Sequence, residues 1–332
     1  MPDKLYMNMR IILSKNNDPY INIATEEYLL KNFEEDIFFL YRNTQSIIVG
    51  KHQNTLAELN YSFVNKEEIP VIRRLSGGGT VFHDLGNLNF CFITKGEKGE
   101  LVNFKKFISP IVDFLQSLNI DASIGGRNDI LINGCKISGN ASHVFKSRVM
   151  HHGTLLYKSE LSSLTQALKS DPLKFKDKAV KSVRSKVTNI HEHITDKKEI
   201  NAFTDELYKY IHTNYQGKPY ELNKDDYSVI NLLVNKKYNT WEWNYGYSPK
   251  YILKKRIKSK TGKRFEFILN VQKGLINEVE IKSNSIKKIW LNKLQEELKN
   301  KFHDKKSLQI SLSVLFEENP ELDLEEFLQA IF

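Results

Sequence analysis

Three consecutive glycines, Gly77, Gly78 and Gly79, constrain this chain more than any other feature. They lie in Arg73-Arg74-Leu75-Ser76-Gly77-Gly78-Gly79-Thr80-Val81-Phe82-His83-Asp84, between a strand-like run that starts at Val71 and a second β-like run. Glycine allows the backbone to approach a ligand closely and to point N–H groups at it. The paired arginines at the entry add positive charge. The pattern is not a P-loop, which needs Gly-Lys-Ser/Thr, and it is not a dinucleotide fingerprint. A flexible surface turn is the bland alternative, and the apolar strand residues on both sides argue against it.

A second constellation runs Gly125-Gly126-Arg127-Asn128-Asp129, then Ile130 to Cys135, then Lys136-Ile137-Ser138-Gly139-Asn140-Ala141. Asn133-Gly134 suits the positive φ angles of a type I′ turn, so residues 129–138 are expected to form a hairpin. Lys136 then stands just past the turn, where it can project a point charge into a pocket. Asn128 and Asp129 can bind a hydroxyl, a purine edge or Mg²⁺. Taken alone, a hairpin lysine is more often solvated. A third run, Met150-His151-His152-Gly153-Thr154-Leu155-Leu156, offers two histidines with no acidic partner at ligand spacing, so a structural or ligand-orienting role is expected in place of a metal site. The fourth, Ser182-Val183-Arg184-Ser185-Lys186-Val187-Thr188-Asn189, reads by itself as a basic surface loop.

The chain of 332 residues suits a large domain and a smaller one. Its net charge of +9 comes mostly from lysine spread along the sequence, as on solvated faces, and not from a nucleic-acid-binding patch. Only nine residues are Arg, and five of them (Arg73, Arg74, Arg127, Arg148 and Arg184) fall in one segment. Guanidinium pairs well with phosphate and carboxylate, so that segment is the place to expect an anion site. Cys91 and Cys135 suffice for neither a disulfide scaffold nor a zinc site. The N-terminus has no signal-peptide core and no run is long enough to span a membrane, so a cytoplasmic protein is expected. Helices are expected over residues 20–33, 104–118, 161–168 and 285–302, and from Asp323. The helix at 285–302 would carry Ile286, Ile289, Trp290, Leu294 and Leu298 on one side. Strands are expected at 37–41, 46–50, 71–73, 152–157, 265–271 and 275–281. This irregular order points to α+β. The Trp241 to Pro249 cluster reads as a domain junction.

With the second constellation split into Gly126–Asp129 and Lys136–Ala141, the ordered set of five motifs resembles the lipoate–protein ligase A family, within the superfamily that includes biotin protein ligases and octanoyltransferases. The resemblance is dense from about residue 10 to 195. It implies a large mixed-sheet catalytic domain of the biotin/lipoate ligase type (residues 1–246) and a small α+β C-terminal accessory domain (residues 247–332). It also implies an activity: lipoate and ATP, with Mg²⁺, give lipoyl-AMP and pyrophosphate, and a lysine of a lipoyl-domain protein then takes the acyl group. The acceptors implied are 2-oxoacid dehydrogenase E2 subunits and the glycine cleavage H protein; no nucleic acid or membrane is involved, and a monomer is expected. By the same resemblance, Lys136 is the essential lysine that contacts the α-phosphate and acyl carbonyl. Gly77, Gly78 and Gly79 cradle lipoyl-AMP, with Arg73 at the entry and Ser76 and His83 beside them. Asn128 and Asp129 lie near the nucleotide and Mg²⁺, and His152 by the acyl chain. Leu75, Val81 and Phe82 line a tunnel for that chain. Ser138, Gly139, Ala141, Gly153, Thr154 and Arg184 complete the lipoyl-AMP and ATP contacts. An octanoyltransferase would share the frame but use a cysteine nucleophile. A biotin ligase would show Gly-Arg-Gly-Arg, which is absent.

Overall fold

The computed structural model describes residues 9–96, 102–126, 128–168, 174–183, 185–259, 262–284, 286–318 and 323–332. They form two compact units: residues up to Lys51 with Pro70–Leu164 and Ser182–Asn239, and His52–Ile69 with Thr165–Lys181 and Thr240–Phe332. The second unit therefore draws two earlier segments, His52–Ile69 and Thr165–Lys181, besides the tail.

The first unit is built on a mixed six-stranded sheet. Its order is Asn140–Phe145, Arg148–Leu156, Asn87–Lys95, Ile37–Tyr41, Arg10–Leu13 and Lys218–Pro219. Arg10–Leu13 runs parallel to both of its neighbours, and the other pairs are antiparallel. Asn87–Lys95 is buried along all but its last residue, as a central strand covered on both faces must be. One face (Phe38, Leu40, Phe90, Phe92, Leu155) packs against helices Phe104–Ser117 and Ile200–Asn214. Helix Pro19–Asn32, N-capped by Asp18, packs against strands of the same sheet. A three-stranded sheet places Ser46–Val49 between Val71–Arg73 (parallel) and Val81–His83 (antiparallel), so the glycine loop crosses from one edge of it to the other. A third sheet holds Ala122–Ile124, Ile130–Ile132 and Cys135–Ser138. Its hairpin turns through Asn133 (φ 50°) and Gly134 (φ 72°), the expected type I′ signs.

The second unit has an antiparallel sheet ordered Phe175–Asp177, Tyr251–Lys258, Arg264–Gln272 and Leu275–Ser283. Strict alternation buries Phe265, Phe267, Leu269 and Val271 against helices Lys288–Leu298, Lys305–Glu317 and Leu324–Ile331. Asp323 caps the last helix by accepting the Glu326 N–H at 2.8 Å. One expectation changes here. Ile289 is 76% exposed, and the buried stripe is Trp290, Leu291, Leu294 and Leu298. Within the Trp241 to Pro249 cluster, residues Glu242–Gly246 form a π-helical turn, and Asn244 accepts the Thr55 hydroxyl through its carbonyl at 2.6 Å. Helix Lys305–Glu317 was not expected at all.

Candidate active site around the glycine loop

The loop between Val71–Arg73 and Val81–His83 is held from inside by Arg74. Its Nε donates to Ser76 Oγ (2.9 Å) and its Nη1 to the Ile48 carbonyl (3.0 Å). Its Nη2 donates to the carbonyls of Gly77 (2.6 Å) and Gly79 (2.8 Å). Burial draws the guanidinium pKa down to about 10, which leaves it charged at neutral pH. Turning these carbonyls inward has a consequence for the amides. Among the described residues, the N–H groups of Gly77, Gly78 and Gly79 have no acceptor. Gly78 sits at φ 88°, where a side chain is strained, and a Cβ there would lie 3.1 Å from Arg74 Nη2. Consecutive amides alternating between right- and left-handed backbone make a concave anion site. Thr80 N–H is held by Ser182 Oγ at 2.9 Å, and a Cβ on Gly79 would meet the same oxygen at 3.1 Å.

Arg73 behaves differently from the expectation that it greets the ligand at the loop entry. It is fully buried, and its Nη1 donates to the Gly50 and Lys51 carbonyls, both at 3.0 Å. Strand alternation explains this: adjacent residues point to opposite faces, and it is Arg74 that enters the loop. Val81 is half-buried; Phe82 and His83 are buried on the strand leaving the loop. His83 Nδ1 meets Asn43 Nδ2 at 3.0 Å, and burial lowers its pKa to about 3, so it stays neutral.

Lys136 lies on Cys135–Ser138, and its Nζ is 2.9 Å from Asp129 Oδ1, both side chains being partly exposed. The chain folds back over Gly139, where a Cβ would stand 3.2 Å from Nζ. Residues 186–188 run alongside: Lys136 N–H donates to the Lys186 carbonyl (2.8 Å), and Thr188 N–H to the Lys136 carbonyl (3.1 Å). Asn128, in the left-handed region at φ 63°, accepts from Asn140 Nδ2 through its carbonyl at 2.7 Å. Asn140 also donates to the buried Ser138 Oγ at 3.2 Å. Gly153 is there for packing, since a Cβ would fall 2.2 Å from Asn140 Oδ1 and 2.5 Å from Phe90 Cζ. Thr154 pins Gly139 by two hydrogen bonds. Ala141 then brings the two motifs together: it is 3.8 Å from the position a Gly78 Cβ would take. Arg127 and Arg184 lie outside the described residues.

His151 and His152 separate, as neighbours on a strand must. His151 faces the apolar core, stacked on Phe107 at 5.1 Å, and burial lowers its pKa to about 3. His152 points the other way and joins Ser76 Oγ (Nε2, 2.6 Å) to Glu26 (Nδ1, 2.8 Å to Oε2). The acidic partner absent at local spacing is thus supplied by a helix far away in sequence. Among the described residues, no three His, Cys, Asp or Glu side chains are grouped to hold a metal. Glu26 lies outside every motif, and Ser182 and Asn140 lie within two of them without having been given a role. Glu26 and Glu27 do carry one signal: two carboxylates within a helix stretch that is otherwise mostly apolar and buried must find partners.

A model of the lipoyl protein ligase A/B catalytic domain matches residues 18–212, and one of the bacterial lipoate protein ligase C-terminus matches residues 248–331. The chain belongs to the lipoate–protein ligase family. Lipoate–protein ligase 1 of Staphylococcus aureus is 45% identical over 81% of this chain and 83% of its own length. Lipoate-protein ligase LplJ of Bacillus subtilis is 43% identical over 80% and 81%. Among solved structures, lipoate-protein ligase A bound with ATP superposes with a TM-score of 0.63 at 25% identity, covering 73% of this chain and all of that one. Plasmodium falciparum LipL1 in complex with lipoate gives 0.61 at 26% identity, covering 97% and all of that chain. The α+β fold of this ligase is that of its relatives. No helix among its described residues is long and apolar enough to cross a membrane.

Proposed function

We propose that this ligase activates lipoate with ATP as lipoyl-AMP, releasing pyrophosphate, and then passes the lipoyl group to a lysine of a lipoyl-domain protein. The acceptors would be E2 subunits of 2-oxoacid dehydrogenases and the glycine cleavage H protein. The observation that carries this reading is the row of three loop amides without acceptors among the described residues, set beside the strand segment that leads from Lys136. Both half-reactions gather negative charge on phosphate and acyl oxygens, and fixed N–H groups with one compact cation suit that need. Lys136 contacts the α-phosphate and the acyl carbonyl in this reading, and releases Asp129 to do so. Relatives solved with ATP and with lipoate support both ligands. Mg²⁺ is usually held by one or two carboxylates with substrate phosphates, and Asp129 suits that role; the ion would offset phosphate charge. Val81, Phe82 and Leu75 line the acyl chain, and the remaining motif residues position the loop and the hairpin.

A cysteine-dependent acyltransferase is less well supported. Cys91 is fully buried on the central strand, and burial pushes its thiol pKa well up, the opposite of an activated nucleophile. Lipoate-dependent exchange of pyrophosphate into ATP tests the reading; transfer from a thioester donor alone, without exchange, would overturn it. Residues 247–332 are proposed to act as an accessory lid that admits the acceptor after adenylation, because the first step must exclude water from a labile anhydride and the second must admit a protein. Hydrogen exchange that changes beyond residue 240 on addition of lipoyl-AMP supports this. Full rates in both half-reactions after removal of residues 250–332 would refute it.

A further inference from the structure

Five side chains from four segments of the chain are linked beneath the glycine loop. Tyr41 Oη donates to Glu26 Oε1 at 2.9 Å. Both Glu26 oxygens face His152 Nδ1, at 2.9 and 2.8 Å. His152 Nε2 is 2.6 Å from Ser76 Oγ, which also accepts from Arg74 Nε at 2.9 Å. Glu26, Ser76 and Arg74 are almost wholly buried, and His152 is 8% exposed. The motif-derived roles account for Ser76 and His152 as ligand contacts and leave Glu26 with none.

Proton positions along this chain follow from donor and acceptor capacity. A carboxylate can only accept, so His152 carries its proton on Nδ1. With the imidazole neutral, Nε2 presents a lone pair and takes the Ser76 hydroxyl hydrogen. Ser76 Oγ keeps a lone pair for Arg74 Nε, and that bond aims the guanidinium whose other nitrogen draws in the Gly77 and Gly79 carbonyls. The direction of this row is set at Glu26, whose two oxygens both face Nδ1. We infer that Glu26 is a positioning residue of the ligase reaction: by fixing the tautomer and orientation of His152 it sets Ser76 and Arg74, and through them the amide row that receives substrate oxygens. The inference rests on the lipoyl-AMP reading for what the amides receive, but not for the hydrogen-bond row itself.

The test uses the full-length protein with Glu26→Ala and Glu26→Gln. Nitrogen-15 NMR of the ligand-free protein, with His152 assigned by its loss in His152→Asn, is expected to show the Nδ1–H tautomer. In Glu26→Ala that signature is expected to move towards a tautomer mixture, and in Glu26→Gln to persist, since the amide oxygen still accepts. In lipoate-dependent pyrophosphate exchange, Glu26→Ala is expected to raise KM for lipoate by on the order of ten- to a hundredfold with a smaller fall in kcat, as for a displaced binding group. Glu26→Gln should restore most of it. Should Glu26→Ala fail to fold, Glu26→Asp, which withdraws the carboxylate from Nδ1, replaces it with the same expectation. An unchanged tautomer, an unchanged KM in a folded variant, or no rescue by Gln overturns the inference. Absence of exchange in the unaltered enzyme would instead defeat the lipoyl-AMP reading, and the NMR result would still decide on Glu26.

Discussion

The two units bury different things. Around the glycine loop the first unit encloses Glu26, Arg73, Arg74, Ser76, His83 and His152, and among the described residues His83 Nε2 and Asn140 Oδ1 have no hydrogen-bond partner. The core of the second is mostly aliphatic and aromatic, from Leu253, Phe267 and Leu269 to Leu294, Leu312 and Phe327, with His303, Glu58 and Tyr251 among its buried ionisable residues. Burying charge costs free energy unless it is closely paired, so polar groups inside a small unit are retained where they have a task. The contrast is one of buried polar chemistry in the first unit against mostly apolar packing in the second, and it can be broken at single residues.

The largest effect should follow from Lys136→Ala: adenylation falls by about 10²–10³ while the thermal midpoint barely moves, because the ammonium is partly exposed and oriented for charge stabilisation. Single-turnover lipoyl-AMP formation against a melting curve checks this. Arg at the same position should rescue little, its planar fork being unable to stand where the compact ammonium does. Gly78→Val comes next. It combines φ 88° with a Cβ 3.1 Å from Arg74 Nη2, so lipoyl-AMP affinity should drop at least tenfold by about 1.4 kcal/mol or more, against a backbone penalty of about 1–2 kcal/mol. Titration calorimetry and denaturant unfolding separate the two. If stability collapses with affinity intact, the glycines serve the fold alone.

In the second unit the expected effects are on stability. Leu294→Ala removes a fully buried side chain and should lower unfolding free energy by about 2–5 kcal/mol, whereas Ile289→Ala, at 76% exposure, should change it by less than about 0.5 kcal/mol. Equal losses would return Ile289 to the core. Acid should weaken both units. His83 and His151 have folded pKa values near 3 and His303 near 4, all below the free value of 6.5. The unfolded chain therefore binds more protons in between. Stability is complete above about pH 6.5 and declines as pH falls towards 4, by on the order of 3 kcal/mol for each histidine fully titrated. Denaturant midpoints from pH 7 to 4 test this, and His303→Asn should flatten the second unit's share of the slope.

Local chemistry was readable wherever it is written in consecutive residues. Asn133-Gly134 specified its own turn because few dipeptides accept two positive φ angles, and Gly77 to Gly79 specified a loop because no strand gains from three residues without side chains. Helix Pro19–Asn32 and strand Ile37–Tyr41 were legible from apolar spacing. Ile289 was misplaced because an apolar residue at one position off the stripe looks the same in sequence as one on it, and only the packing of Lys305–Glu317, itself unanticipated, decides which is covered. The same holds at the site. The sequence determined that Arg73 and Arg74 alternate, but not which would face the loop. It placed His151 beside His152, but only the sheet sends one to Phe107 and the other to Glu26, a residue 126 positions away. Turn and strand preferences act between neighbours, whereas burial, pairing of charge and the direction of a hydrogen-bond row depend on what the fold brings alongside.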